Sequence, residues 1–153
     1  MDYEVKVIPE QKLAVINCKT PIDDLEIFLN ILMEWIYTEE IETDGDPFIV
    51  YFSPRHEVNE GDVVYDVSIP LKKDVDETDR IRVVDMIENK VLACKHFGPN
   101  DTIMDTYAEL VEIAQANHYD IIGSPKEVLI KGFHNCDNPE DYVTEIQLPI
   151  IEM

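Results

Sequence analysis

The stretch Ile8-Pro9-Glu10-Gln11-Lys12-Leu13-Ala14-Val15 returns later in the chain as Ile87-Glu88-Asn89-Lys90-Val91-Leu92-Ala93-Cys94, at an offset of 79. Further on, Asp46-Pro47-Phe48-Ile49-Val50-Tyr51 aligns with Ser124-Pro125-Lys126-Glu127-Val128-Leu129 at an offset of 78. Tyr65-Asp66-Val67-Ser68-Ile69-Pro70 aligns with Thr144-Glu145-Ile146-Gln147-Leu148-Pro149, again at 79. Self-similarity at a fixed spacing is the mark of a duplicated unit. Three matches in the same order make the chain two copies of one unit, with a one-residue insertion in the loop before the last strand. The copies run over about 5–72 and 80–151, and the charged stretch 73–79, which lacks apolar periodicity, links them. Residues 1–153 together form one domain, because a unit of this size cannot bury a helix and its strands unaided.

Each copy reads as strand, helix, strand, strand. In the first, Lys12 to Asn17 is a short apolar run, and Thr20-Pro21-Ile22-Asp23-Asp24 opens a helix with Thr20 as its N-cap. Ile22, Leu25, Phe28, Leu29, Leu32, Met33 and Ile36 then recur at helical spacing to about Tyr37. In the second, Gly98-Pro99-Asn100-Asp101 starts the helix, and Ile103, Met104, Tyr107, Leu110, Val111 and Ala114 form its apolar face. Polar loops at Ser53 to Gly61 and Lys131 to Asp141 join the paired strands. The fold class is therefore α+β: a tandem pseudo-two-fold repeat, antiparallel sheets with helices on one face, and a central groove between the copies. Grooves of this kind are common small-molecule sites.

Strand alternation divides the side chains into two sets. If the aliphatic set lies under the helix, Val128, Ile130, Thr144, Ile146 and Leu148 belong there in the second copy, leaving Glu127, Leu129, Glu145 and Gln147 for the groove. In the first copy the same rule sends Ile49, Tyr51, Asp66 and Ser68 to the groove, with Val50, Phe52, Tyr65, Val67 and Ile69 under the helix. The alternative for this second face is plain exposure to water. Trp35, the single tryptophan, is either a core residue or a groove wall.

The pattern resembles the GyrI-like small-molecule-binding domain, which also forms the effector-binding part of bacterial multidrug-responsive transcription regulators. The resemblance spans nearly the whole chain. It is carried by His96-Phe97-Gly98-Pro99, by Thr144-Glu145-Ile146-Gln147-Leu148-Pro149 and, more weakly, by Pro125-Lys126-Glu127-Val128. It implies a ligand groove that takes bulky, often cationic, aromatic compounds, with an acid at the Glu145 position and aromatic walls. Two positions depart from the family pattern. Asn100 stands where a tyrosine often follows Gly-Pro, and Leu129 where an aromatic commonly follows Glu-Val.

Charge narrows the partners. Thirty-three acidic against 12 basic residues give −21 at pH 7. Phosphate neutralisation needs clustered Lys and Arg, so direct nucleic-acid binding is not expected, nor is attachment to an anionic membrane. Such a field either attracts cationic ligands and basic protein surfaces or simply keeps the chain soluble. No apolar stretch approaches the roughly 20 residues of a membrane span, and Met1-Asp2-Tyr3-Glu4-Val5 is not a signal peptide. Cys18, Cys94 and Cys136 are odd in number and scattered, as suits reduced thiols in a cytoplasm. His134-Asn135-Cys136 is the one His/Cys proximity; loop residues are the default there, and no metal or cofactor is expected.

Three functions follow. The preferred one is a binding module, stand-alone, that senses or sequesters bulky amphipathic cationic aromatics, with Glu145, Glu127, Tyr51, Trp35, Asp66, Gln147, Leu129 and Ile49 as ligand-binding residues. A second is a hydrolase of strained electrophiles using a pocket Glu and Tyr, implied by the resemblance and supported by no independent catalytic motif. A third is an acidic protein that masks a basic surface such as a topoisomerase's.

Overall fold

The first six strand residues, Tyr3-Glu4-Val5-Lys6-Val7-Ile8, alternate in polarity and form strand β1 (Tyr3–Ile8). In this computed structural model, which describes residues 1–54 and 61–152, it is followed by β2 (Gln11–Thr20), α1 (Leu25–Thr38), β3 (Phe48–Tyr51) and β4 (Val63–Leu71). The second half repeats the order: β5 (Arg82–Met86), β6 (Asn89–Phe97), α2 (Ile103–Ala116), a short β7 (Tyr119–Ile121), β8 (Lys126–Lys131) and β9 (Val143–Glu152). Part of the expected Ser53 to Gly61 loop, residues 55–60, lies outside the described residues.

All pairings among the described strands are antiparallel, in the order β1-β6-β9-β8-β3-β4-β2-β5, with β7 added beside β9. The order is symmetric about the β3–β8 pair, and the sheet is continuous across it rather than split into one sheet per copy. The second copy carries the short β7, and each copy has one N-terminal strand more than the sequence pattern suggested. That N-terminal strand is exchanged: β1 pairs with β6 of the second copy, and β5 with β2 of the first. The sheet curls into a half-barrel.

The pairing corrects the first repeat match by one residue. Ile8 faces Asn89 and Gln11 faces Met86, so Ile8 corresponds to Met86 and Gln11 to Asn89, an offset of 78. The helices agree, since Leu25–Thr38 and Ile103–Ala116 are also 78 apart. Even their exits match: Glu40 and His118, the two non-glycine residues with positive φ among the described residues (53° and 59°), follow α1 and α2 at equivalent places.

Thr20 does not cap a helix. It ends β2, and its hydroxyl contacts the Tyr65 hydroxyl at 2.7 Å, while a single 3-10 turn, Ile22–Asp24, leads into α1. The corresponding turn, Asn100–Thr102, is tied to the sheet by buried His96. Its Nδ1 lies 2.7 Å from Thr106 Oγ1, and its Nε2 lies 3.0 Å from the Pro99 carbonyl.

Both helices lie on one face. Leu29, Leu32 and Ile36 of α1 pack on Ala14, Ile16, Tyr65, Val67 and Ile69. Ile103, Tyr107, Leu110 and Ala114 of α2 pack on Leu92, Cys94, Ile146, Leu148 and Ile150. Opposite the helices, Leu13, Val15 and Phe48 form a third cluster with Val50, Val84, Met86 and Val128. This apolar floor lines the inside of the curl.

Candidate functional site

The groove face is set by register. Residues opposite one another on neighbouring strands point the same way, so the pairs Val50–Asp66, Lys126–Gln147 and Val128–Glu145 belong with the Phe48 cluster. Ile49 pairs with Val67 and Glu127 with Ile146, and both partners lie under the helices.

Three of the eight expected site residues, Glu145, Gln147 and Asp66, stand on the groove face. Tyr51 and Ile49 turn the other way, into the α1 core, so that Phe48 and Val50 take the groove instead. Glu127 and Leu129 also lie under the helices, and Lys126 and Val128 occupy the groove. Trp35 packs, half-buried, against the α1 core. The aliphatic rule failed on β8 because a polar residue can be buried if it is hydrogen-bonded. Glu127 is 2% exposed, and the Tyr107 hydroxyl of α2 donates to it at 2.5 Å. On β3 every residue from Phe48 to Tyr51 is apolar, so polarity gives no phase at all.

Glu145 and Asp66 occupy equivalent positions in the two halves, one on β9 and one on β4. Glu145 is 8% exposed. Lys6 Nζ, from the exchanged strand β1, donates to both its oxygens at 3.1 and 2.9 Å, and Gln147 Nε2 donates at 2.6 Å. Burial lowers the Lys6 proton affinity, but the contacts with Glu145 and Glu4 more than offset this and hold it above the ordinary lysine value. A cavity of about 570 Å³ opens here, bounded by Tyr3, Glu4, Ala93, Lys95, Phe97 and Glu145.

At the matching place in the other half, Asp66 accepts from Asn17 Nδ2 at 2.7 Å. Burial raises its pKa above the usual carboxylate value, against the opposing effects of Asn17 and the Arg82 guanidinium. The adjoining cavity, about 300 Å³, is walled by Leu13, Val15, Ser68, Val84 and Met86.

Lys126 sits at the groove centre, 6% exposed, its Nζ 4.4 Å from the Phe48 ring centroid and 3.6 Å from Met86 Sδ. Burial pushes its pKa down to about 8. Sequence reasoning missed Lys6 and Lys126. For Lys6 a signal existed in the alternation of Tyr3 to Ile8; for Lys126 none did, because its face depends on the β3–β8 register. Among the described residues no group of three or more His, Cys, Asp or Glu is arranged to hold a metal ion, and no helix is long and apolar enough to cross a membrane.

Comparison with known proteins bears on this groove. No curated protein matches the chain. Among solved structures, the EcmrR C-terminal domain superposes with a TM-score of 0.87 at 19% identity, over 99% of this chain and 98% of that one. In the EcmrR–DNA complex the chain spans 58% of EcmrR, with a TM-score of 0.86. A protein described as a hydrolase from Listeria innocua gives 0.73 at 15% identity, over 97% of this chain and 91% of that one. SAV2435, solved bound to tetraphenylphosphonium, gives 0.65 at 12% identity, over 99% and 94%. At these identities the likeness establishes the fold. A family model described as the GyrI-like small molecule binding domain matches residues 1–151.

Proposed function

This chain belongs to the GyrI-like small-molecule-binding family, and from that premise we propose that its groove senses or sequesters bulky amphipathic aromatic compounds with a delocalised positive charge. The observation that supports this reading is the pair of carboxylates Glu145 and Asp66, at equivalent positions beside an apolar floor. An acid in such surroundings attracts a charge more strongly than it would in water. A diffuse cation brings its own apolar surface, so its burial on Phe48, Val50 and Val128 offsets the loss of its weak hydration. A fold relative named in complex with tetraphenylphosphonium suits this chemistry.

Tetraphenylphosphonium and tetraphenylborate test it, since they share a shape and differ in the sign of charge. Calorimetric titration is expected to show the phosphonium bound at least about tenfold more tightly, a difference of roughly 1.4 kcal/mol. Equal affinity, or preference for the borate, would overturn the role of the acids. Binding of neither ion would move the reading to the acidic exterior and a basic protein partner, with affinity that falls steeply with salt.

One observation favours a second reading. The buried Glu127–Tyr107 contact is a Glu/Tyr pair of the kind a hydrolase could use, the carboxylate to orient water and the phenol to protonate a leaving oxygen. With Glu127 2% exposed, substrate reaches the pair only if its surroundings open. Turnover of a strained-ring electrophile that is lost in Glu127→Gln and in Tyr107→Phe, with the fold retained, would establish it.

A further inference from the structure

We propose that Lys126 is a carbonyl-capturing amine, forming a reversible imine with aromatic aldehydes that enter the groove; this rests on the reading of the groove as a binding site for amphipathic aromatics.

Lys126 stands on β8 at the middle of the sheet, with Val50 opposite on β3 and Gln147 opposite on β9. Its ammonium group lies over the Phe48 ring and against the Met86 sulfur, and among the described residues no carboxylate pairs with it. The acids of the same face are engaged elsewhere: Glu145 from β9 and Glu4 from β1 with Lys6, and Asp66 from β4 with Asn17. An unpaired buried ammonium is costly, and the group responds by giving up its proton more readily. On a chain with a net charge of −21, whose overall field favours ammonium, the drop to about 8 is the work of the local apolar surround. A desolvated lysine with a depressed pKa is the form of this side chain that attacks carbonyl carbon.

A second observation selects the ligand chemistry. Gln147 is 5% exposed; its Nε2 is committed to Glu145, and its Oε1 is buried without a hydrogen-bond partner. Gln147 is the register partner of Lys126 on the same face of the sheet, so its bare acceptor disfavours an anion beside the amine. A carbonyl compound is not disfavoured in this way. As the Lys126 nitrogen lone pair forms the C–N bond, the carbonyl π pair moves to oxygen, and the proton released from nitrogen converts that oxygen to a hydroxyl. The hydroxyl is a donor, and Gln147 Oε1 is an acceptor for it on the neighbouring strand. A second proton, taken from the nitrogen through water, then leaves with the hydroxyl as water, and the C=N bond remains. No oxidant or reductant takes part. The aryl body has room on the Met86 side, where the cavity of about 300 Å³ begins.

The test treats the full chain with 6-methoxy-2-naphthaldehyde and sodium cyanoborohydride, followed by peptide mass mapping. Binding of the unreactive 2-methoxynaphthalene is measured alongside by fluorescence. The expected result is one dominant adduct, on the peptide carrying Lys126, formed about tenfold or more faster at pH 7 than on any other lysine, because far more of this amine is unprotonated there. The rate should rise with pH and level off just above 8, and Lys126→Arg, which keeps the charge, should abolish this adduct. Labelling spread evenly over the surface lysines would overturn the proposal, as would a Lys126 adduct with the pH profile of an ordinary lysine. Binding of 2-methoxynaphthalene without a Lys126 adduct would sink the proposal and spare the groove; an adduct without such binding would do the reverse.

Discussion

At the scale of the residue, the groove is already occupied by charges of its own. Lys6 neutralises Glu145, so a ligand cation has to share that acid or displace the lysine. Lys6→Met should therefore strengthen tetraphenylphosphonium binding, whereas Glu145→Gln should weaken it by about 1–3 kcal/mol, the worth of a charged hydrogen bond. The double variant should bind nearly like Glu145→Gln alone, because the other acid that Lys6 touches, Glu4, is exposed and well screened. Calorimetry on the four proteins decides this, and additive effects would separate the lysine from the acid. Lys126 makes a prediction about stability. Its folded pKa, about 8, lies below the ordinary lysine value. Its contribution is thus fully present above about 10.5 and is lost as pH falls through 8. Lys126→Met should be the more stable protein at pH 7, by about 1–3 kcal/mol, and the advantage should shrink steadily toward pH 10.5. Denaturant melts of both proteins at matched pH would show it, and an advantage independent of pH would mean that the ammonium is not desolvated.

At the scale of the element, the helices hold the sheet in its curl through single apolar stripes. Leu110 of α2 is fully buried against the β6 and β9 side chains. Leu110→Ala should cost roughly 2–5 kcal/mol in urea unfolding, where a surface position would cost less than about 0.5. These stripes were legible from sequence because helical spacing repeats over four turns, and a pattern of that length fixes its own phase. The strands were less legible. On β4 and β9 polar and apolar residues alternate, so Asp66, Glu145 and Gln147 fell on the observed face. On β3 and β8 an all-apolar run and a buried acid leave the phase open, and a strand read one residue out of phase sends every side chain to the wrong side. That is why Ile49, Tyr51, Glu127 and Leu129 were expected in the groove and lie under the helices.

At the scale of the whole molecule, the exchanged strands bind the two halves together. With β1 paired to β6 and β5 paired to β2, each copy lacks an edge of its own sheet when alone. Cleavage between Lys73 and Thr78 should leave fragments that do not unfold cooperatively when isolated and that regain the native circular dichroism when mixed. A cooperative transition in an isolated 1–72 fragment would show the exchange to be dispensable.

The duplication, the helix stripes and the acids of the alternating strands were determined by the sequence itself, since each rests on a local period or on an internal repeat. The joining of the copies into one sheet, the exchange of β1 and β5, and the seating of Lys6 on Glu145 and of Lys126 on Phe48 were decided by tertiary structure. Each of these depends on which strands become neighbours and in what register. That choice is made by the summed burial of both faces and by hydrogen bonds such as Tyr107 to Glu127, which join residues far apart along the chain.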